Sequence, residues 1–233
     1  MKIFYIAKSH FAVFLIPVIM LLGTNYVLDA PDKMVGKVVI VDAGHGGIDS
    51  GANRPGILEK DVNLAVAIQL KDVLNQQGVK VVLSRQIDKE LSLDCDNEAV
   101  KGRYKRDLMA RVEMVEESDA DLFVSIHANA VMNNKRNGAE VFYYNKSEAG
   151  KALANSIQLE LCNVTKIQKA AQEADYFVLR RNKIPAALIE VGYITNLDER
   201  HLLQTPEYQR KLAEAIAKGV YAYYQTCEGV GSF

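Results

Sequence analysis

The chain has four histidines, His10, His45, His127 and His201, and two of them stand directly after apolar, β-branched runs. His45 follows Val38-Val-Ile-Val-Asp42 within Asp-Ala-Gly-His-Gly-Gly, and His127 ends the run Leu122-Phe-Val-Ser-Ile126. Zinc in a catalytic site takes three protein ligands and one water, and two imidazoles with one glutamate are a known set. Glu59 is the candidate third ligand, because it closes the glycine-rich loop that His45 opens and so returns to the same end of the strand. Asp49 and Asp42 compete with it, and Asp42, still on the strand, also suits a role orienting an imidazole. Glu190 sits near the end of the apolar run Ala186-Ala-Leu-Ile-Glu-Val-Gly192, where a carboxylate must be paired or functional. Beside zinc-bound water it would take a proton and later pass one to a leaving amine. The metal would polarise an amide carbonyl and lower the water's pKa towards roughly 7.

Taken singly, each residue has an ordinary explanation. A histidine after a strand is commonly a hydrogen-bonded loop residue, and Glu190 would serve as a partner for Arg85 or Arg111. A glycine loop after a strand can cradle phosphate, but Gly44-His-Gly-Gly-Ile-Asp-Ser-Gly51 has neither the G-x-x-x-x-G-K-[S/T] nor the G-x-G-x-x-G spacing. Taken together, the ordinary explanations require four unrelated coincidences at strand ends. Asn129, two residues after His127, and Arg180, with Arg181 after it, are candidates for holding substrate; a turn cap and a solvated loop explain them equally. His201 reads as a surface residue of a helix.

These side chains need a scaffold that brings strand ends together, and the alternation of runs supplies one. Strands are expected at 38–42, 79–83, 122–126, 139–144, 176–179 and 186–191. Helices are expected from Asp61 to about Gln77, around Leu108–Val115, from Ser147 to about Cys162, and at 197–203 and 206–225, with loops at 86–105 and 163–175. Strand, helix and strand in that order predict a parallel crossover. The expected fold class is α/β: a single domain with a mixed twisted sheet and helices on both faces, over residues 37–226. In open sheets of this kind ligands bind at the carboxyl ends of the strands.

The bulk of the chain narrows the choice. It has 233 residues, 49% of them hydrophobic, enough for one substantial core. Its formal net charge of -1 lacks the basic excess of a protein that grips nucleic acid. Cys95, Cys162 and Cys227 form no C-x-x-C pair and read as idle thiols, not as a zinc site. Lys2 and Lys8 precede the apolar run from Phe11 to Leu22, shorter than the roughly 20 residues of a full span. Residues 1–30 are therefore expected to be a signal peptide or an N-terminal membrane anchor, with any membrane contact made there alone and the rest of the chain outside the cytoplasm.

Four segments then resemble, in order, the motifs of the zinc-dependent N-acetylmuramoyl-L-alanine amidases: Val41-Asp-Ala-Gly-His-Gly-Gly-Ile-Asp-Ser-Gly51, Glu59-Lys-Asp-Val-Asn-Leu64, Ser125-Ile-His-Ala-Asn129 and Glu190-Val-Gly-Tyr-Ile-Thr-Asn196. The resemblance covers about Lys37 to Tyr224. It implies a zinc-carboxypeptidase-like fold, His45, Glu59 and His127 as metal ligands, Glu190 as the catalytic carboxylate, and peptidoglycan as substrate, cut between N-acetylmuramic acid and L-alanine. Tyr193 stands where the family more usually has Phe, and Thr195 where Ser is common. The short chain with one N-terminal apolar segment is similar to the amidases of endospore formers that strip spore cortex on the way to muramic δ-lactam, which would place it in the intermembrane space of the forespore. A protein activator is a further partner such wall hydrolases leave room for. The competing functions are another zinc hydrolase of the wall, a peptidase or a deacetylase, and a non-catalytic wall-binding protein.

Overall fold

The computed structural model describes residues 34–227, and the expected signal or anchor, residues 1–30, lies outside them. In chain order the elements are β1 (Val38–Ala43), β2 (Asn53–Arg54), β3 (Ile57–Leu58), α1 (Glu59–Asn75), β4 (Lys80–Leu83), α2 (Arg103–Glu117), β5 (Leu122–Asn129), β6 (Glu140–Tyr143), α3 (Glu148–Thr165), β7 (Gln172–Glu173), α4 (Phe177–Arg181), β8 (Ala186–Tyr193), α5 (Leu197–Leu203) and α6 (Pro206–Cys227). Six strands form one sheet in the order β4-β1-β5-β8-β6-β7. β4, β1, β5 and β8 are parallel, β6 runs antiparallel to β8, and β7 lies parallel to β6. The sheet is mixed, as the sequence predicts, and the β1-α1-β4 unit is the expected parallel crossover.

Side chains alternate between the two faces of a strand, and that period separates core from chemistry here. Val39, Val41, Val124, Ile126, Ala187 and Ile189 share one face with residues of α1, α3 and α6. Ile40, Phe123 and Leu188 share the other with Val115 of α2 and with Val178 and Leu179 of α4. On this second face each strand turns polar towards its carboxyl end: Ile40 is followed two residues on by Asp42, Phe123 by Ser125 and His127, Leu188 by Glu190. Register lines them up, with Asp42 opposite Ser125 and His127 opposite Glu190. The apolar half of this face holds α2 and α4 against the sheet; the polar half is left for the site.

Two elements differ from expectation. Of residues 176–179, expected as a strand, Phe177 to Leu179 belong to the short helix α4 and Tyr176 is its extended N-cap, with Asn182 Nδ2 donating to the Val178 carbonyl at 2.7 Å. The four-residue run Tyr176 to Leu179 is too short for its period to separate strand from helix. The edge beside β6 is instead taken by β7, from the segment expected to be loop. α1 starts at Glu59, two residues before the expected cap Asp61, and no side chain caps it. Loop carbonyls do that work: the amides of Glu59 and Lys60 donate to Ala52 and Ser50 at 2.9 and 3.2 Å. Ser147 caps α3 as expected, accepting from the Gly150 amide at 3.0 Å. Cys95 and Cys162 are buried and free. No helix among the described residues is long and apolar enough to cross a membrane.

Candidate active site

At the carboxyl ends of β1, β5 and β8 the structure opens a cleft of about 350 Å³. His45, Glu59 and His127 meet in it: Glu59 Oε1 lies 3.1 Å from His45 Nε2 and 2.9 Å from His127 Nδ1. One ligand atom from each lies within 4.8 Å of the others, a spacing that fits a single metal ion. The loop reaches this geometry because His45 adopts a left-handed backbone (φ 62°) and Gly46 and Asp49 then bond each other, N–H to carbonyl, in both directions. Glycine is required at two points by space. A Cβ on Gly44 would overlap the His127 ring, and one on Gly51 would stand 2.6 Å from Glu59 Oε2.

Two of the candidate ligands, His45 and Glu59, are held by further groups. His45 Nδ1 lies 2.8 Å from Asp49 Oδ2, which fixes the ring and leaves Nε2 facing the cluster. Glu59 Oε2 accepts from the Ala52 amide at 2.7 Å, while Asn63 Nδ2 donates to the Gly44 carbonyl at 3.1 Å and approaches Glu59 Oε1 at 3.4 Å. The carboxylate that orients an imidazole is thus Asp49. Asp42, the sequence-based candidate for that role, is bonded instead to the Arg111 guanidinium and to Ser125 Oγ, because its strand position puts it one layer below His127. Burial opposes charge on His45, but Glu59 and Asp49 outweigh it and lift the imidazole to about 9. Burial likewise opposes the Glu59 carboxylate, but His127 and His45 hold it well below the usual range. The cluster therefore favours positive charge at its centre, which suits a divalent cation bound with loss of protons.

Glu190 sits opposite His127 in register, on the same face. Neither Arg85 nor Arg111 pairs with it, and its Oε2 is buried with no hydrogen-bond partner among the described residues. Burial pushes its carboxyl up to about 7; His127 opposes this, and Glu59 and Glu140 add to it. Its neighbour across the sheet, Glu140, is in the opposite condition. Glu140 accepts from Tyr193 Oη at 2.6 Å and from Arg136 and Lys169 at 3.0 Å each, and these partners overcome burial to keep it charged. Two adjacent carboxylates are thus driven apart in pKa, the usual sign of divided labour.

A profile of the N-acetylmuramoyl-L-alanine amidases matches residues 39–222. The chain belongs to this family. It is similar to the germination-specific N-acetylmuramoyl-L-alanine amidase of Bacillus subtilis (strain 168), 40% identical over 194 residues that cover 81% of this chain and 80% of that protein. Among solved structures it resembles the CwlD amidase from Clostridioides difficile, in complex with the GerS lipoprotein, with 38% identity and a TM-score of 0.74 over 81% of this chain and 98% of that one. The catalytic domain of CwlV from Bacillus (Paenibacillus) polymyxa var. colistinus gives 34% identity and a TM-score of 0.70, over 81% and 98%. The protein is thus an N-acetylmuramoyl-L-alanine amidase, a hydrolase of peptidoglycan.

The amidase cleft gathers some of the expected substrate contacts and not others. Asn129 lines it, although its Nδ2 leans towards Glu140 at 3.4 Å. Arg180 is not among the lining residues; it pairs with Asp175 at 2.6 Å and borders a separate depression with Glu113 and Glu116. Tyr176, just before α4, and Phe177 and Val178 of α4 line the amidase cleft instead, together with Tyr104 and Leu108 of α2. Tyr193, the departure from the family's usual Phe, uses its extra hydroxyl to hold Glu140. Sequence reasoning gave no role to Asn63 or Glu140, and named Arg85 only as a partner for Glu190. Asn63 was within reach, since it lies four residues after Glu59 and so on the same side of a helix. Glu140 has no such signal, because only the pairing of β6 with β8 brings it beside Glu190.

Proposed function

We propose that this amidase is a zinc enzyme in which His45, Glu59 and His127 hold the metal and Glu190 handles the proton. The observation that carries this reading is the convergence of three ligand atoms beside a buried carboxylate oxygen without a partner. Bound zinc would polarise the scissile carbonyl and make water easier to deprotonate. The chain's own residues then do the rest. Asp49 keeps the proton of His45 on Nδ1, so that Nε2 presents a lone pair. The Ala52 amide anchors one oxygen of Glu59 and leaves the other for the cluster. Glu190, with a carboxyl near 7, accepts a proton from the attacking water and returns it to the amine nitrogen of L-alanine as that leaves. The test is the full chain acting on purified peptidoglycan with zinc supplied or chelated. Peptides beginning with L-alanine are expected by mass spectrometry in the zinc-loaded reaction alone; release that survives chelation sinks the metal reading.

The substrate is proposed to be spore cortex, with cleavage leading towards muramic δ-lactam, and the site of action outside the cytoplasm, in the intermembrane space of the forespore. The likeness to a germination-specific amidase supports this, as does the charged and apolar pattern of residues 1–30, read as a signal peptide or anchor. Cortex from a strain lacking the enzyme is expected to contain no muramic δ-lactam, and normal δ-lactam content would refute the role. A protein activator is proposed as partner, and the similar CwlD amidase, solved in complex with a lipoprotein, supports a protein partner of that kind.

A further inference from the structure

Arg85, just after β4, heads the largest side chains that are fully buried, at 1% exposure. A buried guanidinium is expensive to desolvate, and an apolar side chain would fill the same space at lower cost. Among the described residues Arg85 forms no ion pair; its bonds go to main-chain carbonyls. Nε donates to Ala43 at 3.0 Å and Nη1 to Ile87 at 3.3 Å. Nη2 donates to Gly44 at 3.1 Å and to Lys60 at 2.7 Å. Gly44 precedes His45, and Lys60 follows Glu59. One nitrogen therefore ties together the main chain beside two of the proposed ligands, on a loop and a helix that are also linked by Asn63, which donates to the same Gly44 carbonyl, and by the amides of Glu59 and Lys60. The neighbouring Arg111 differs: it pairs with Asp42 and Asp107, reaches the carbonyls of Ala43 and His45, and makes no bond to α1.

We infer that Arg85 is a positioning residue that sets the separation of His45 from Glu59 and thereby the affinity for zinc. This rests on the metal reading above. A ligand pair held at its working distance gives up no freedom on binding, whereas a pair that must be gathered binds more weakly. Lysine carries the charge but cannot span two carbonyls with a planar fork.

The experiment compares the full chain with Arg85→Lys and Arg85→Met, and with Leu161→Ala, a core truncation on α3 that serves as a control for lost stability. Zinc affinity is measured by competition with a chromophoric chelator, and Tm on metal-free protein. Both Arg85 variants are expected to bind zinc about 10- to 100-fold more weakly, while Leu161→Ala lowers Tm and leaves zinc affinity unchanged. Arg85 variants that behave like Leu161→Ala overturn the assignment. So does failure of both to fold, which would give Arg85 to the fold at large. A wild-type chain that binds no zinc fails the metal reading itself and carries this inference down with it.

Discussion

Glu190→Gln is expected to lower turnover on peptidoglycan by about 10²- to 10⁴-fold, the usual worth of a positioned proton-transfer group, with zinc still bound. Glutamine keeps the shape of the side chain and removes its ability to take a proton. The environment makes this a clean substitution. Glu190 Oε2 has no hydrogen-bond partner to lose, and the carboxyl is already pushed up to about 7 by burial, so a neutral amide relieves desolvation. The folded state is therefore expected to be at least as stable as the wild type. Neither His45 nor His127 makes a hydrogen bond to Glu190, so the zinc content of the purified variant should match that of the parent. Product release and metal content measured on the same preparation separate the two roles. A variant with full zinc and full activity would remove Glu190 from the mechanism.

What was legible in the sequence follows from where the information lies. His45, Glu59 and His127 could be read because each sits at a boundary that local pattern marks: the end of an apolar run or the far side of a glycine loop. The sheet and most helices were legible for the same reason. The choice between Asp42 and Asp49 was not, because it depends on a left-handed turn at His45, a conformation uncommon for a residue other than glycine. That turn sends Nδ1 to Asp49, while strand alternation leaves Asp42 among Ser125 and Arg111. Arg85 and Arg111 were opaque as functional supports, since apart from Ile87 the carbonyls they bind come from segments 25 to 68 residues away and carry no side-chain signature. Arg180 was misplaced with its element: once residues 177–181 form a helix, its partner is Asp175, and Tyr176 and Phe177 border the cleft in its stead.

The layer beneath the site leads to a stability prediction of comparable size. Asp42→Asn is expected to destabilise the fold by about 3–5 kcal/mol, the usual cost of breaking a buried ion pair by neutralising one partner. Arg111 is 2% exposed and Asp42 1%, so water cannot take over from either. Asp107 remains bonded to Arg111 Nε at 3.0 Å and favours the lower end of that range. Arg111→Met should cost a similar amount by stranding Asp42, while the double variant should cost clearly less than the two singles combined, because Asp42 is then no longer a stranded charge and only Asp107 loses its ion partner. Denaturant unfolding of the four proteins measures this, and strict additivity would show that the pair does not act as a unit. The pH dependence has a definite sign. Burial alone would raise the Asp42 carboxyl, but Arg111, Ser125 and Ser84 hold it below 3.8 in the folded chain. Its contribution is therefore complete above the unfolded value and is lost as pH falls through the lower folded one. The wild type should lose stability through this acid range, and Asp42→Asn should lack that component. The consequence reaches the site through Arg111 itself, which donates to the His45 carbonyl at 3.0 Å: the charge that steadies the sheet also holds the backbone of a proposed ligand.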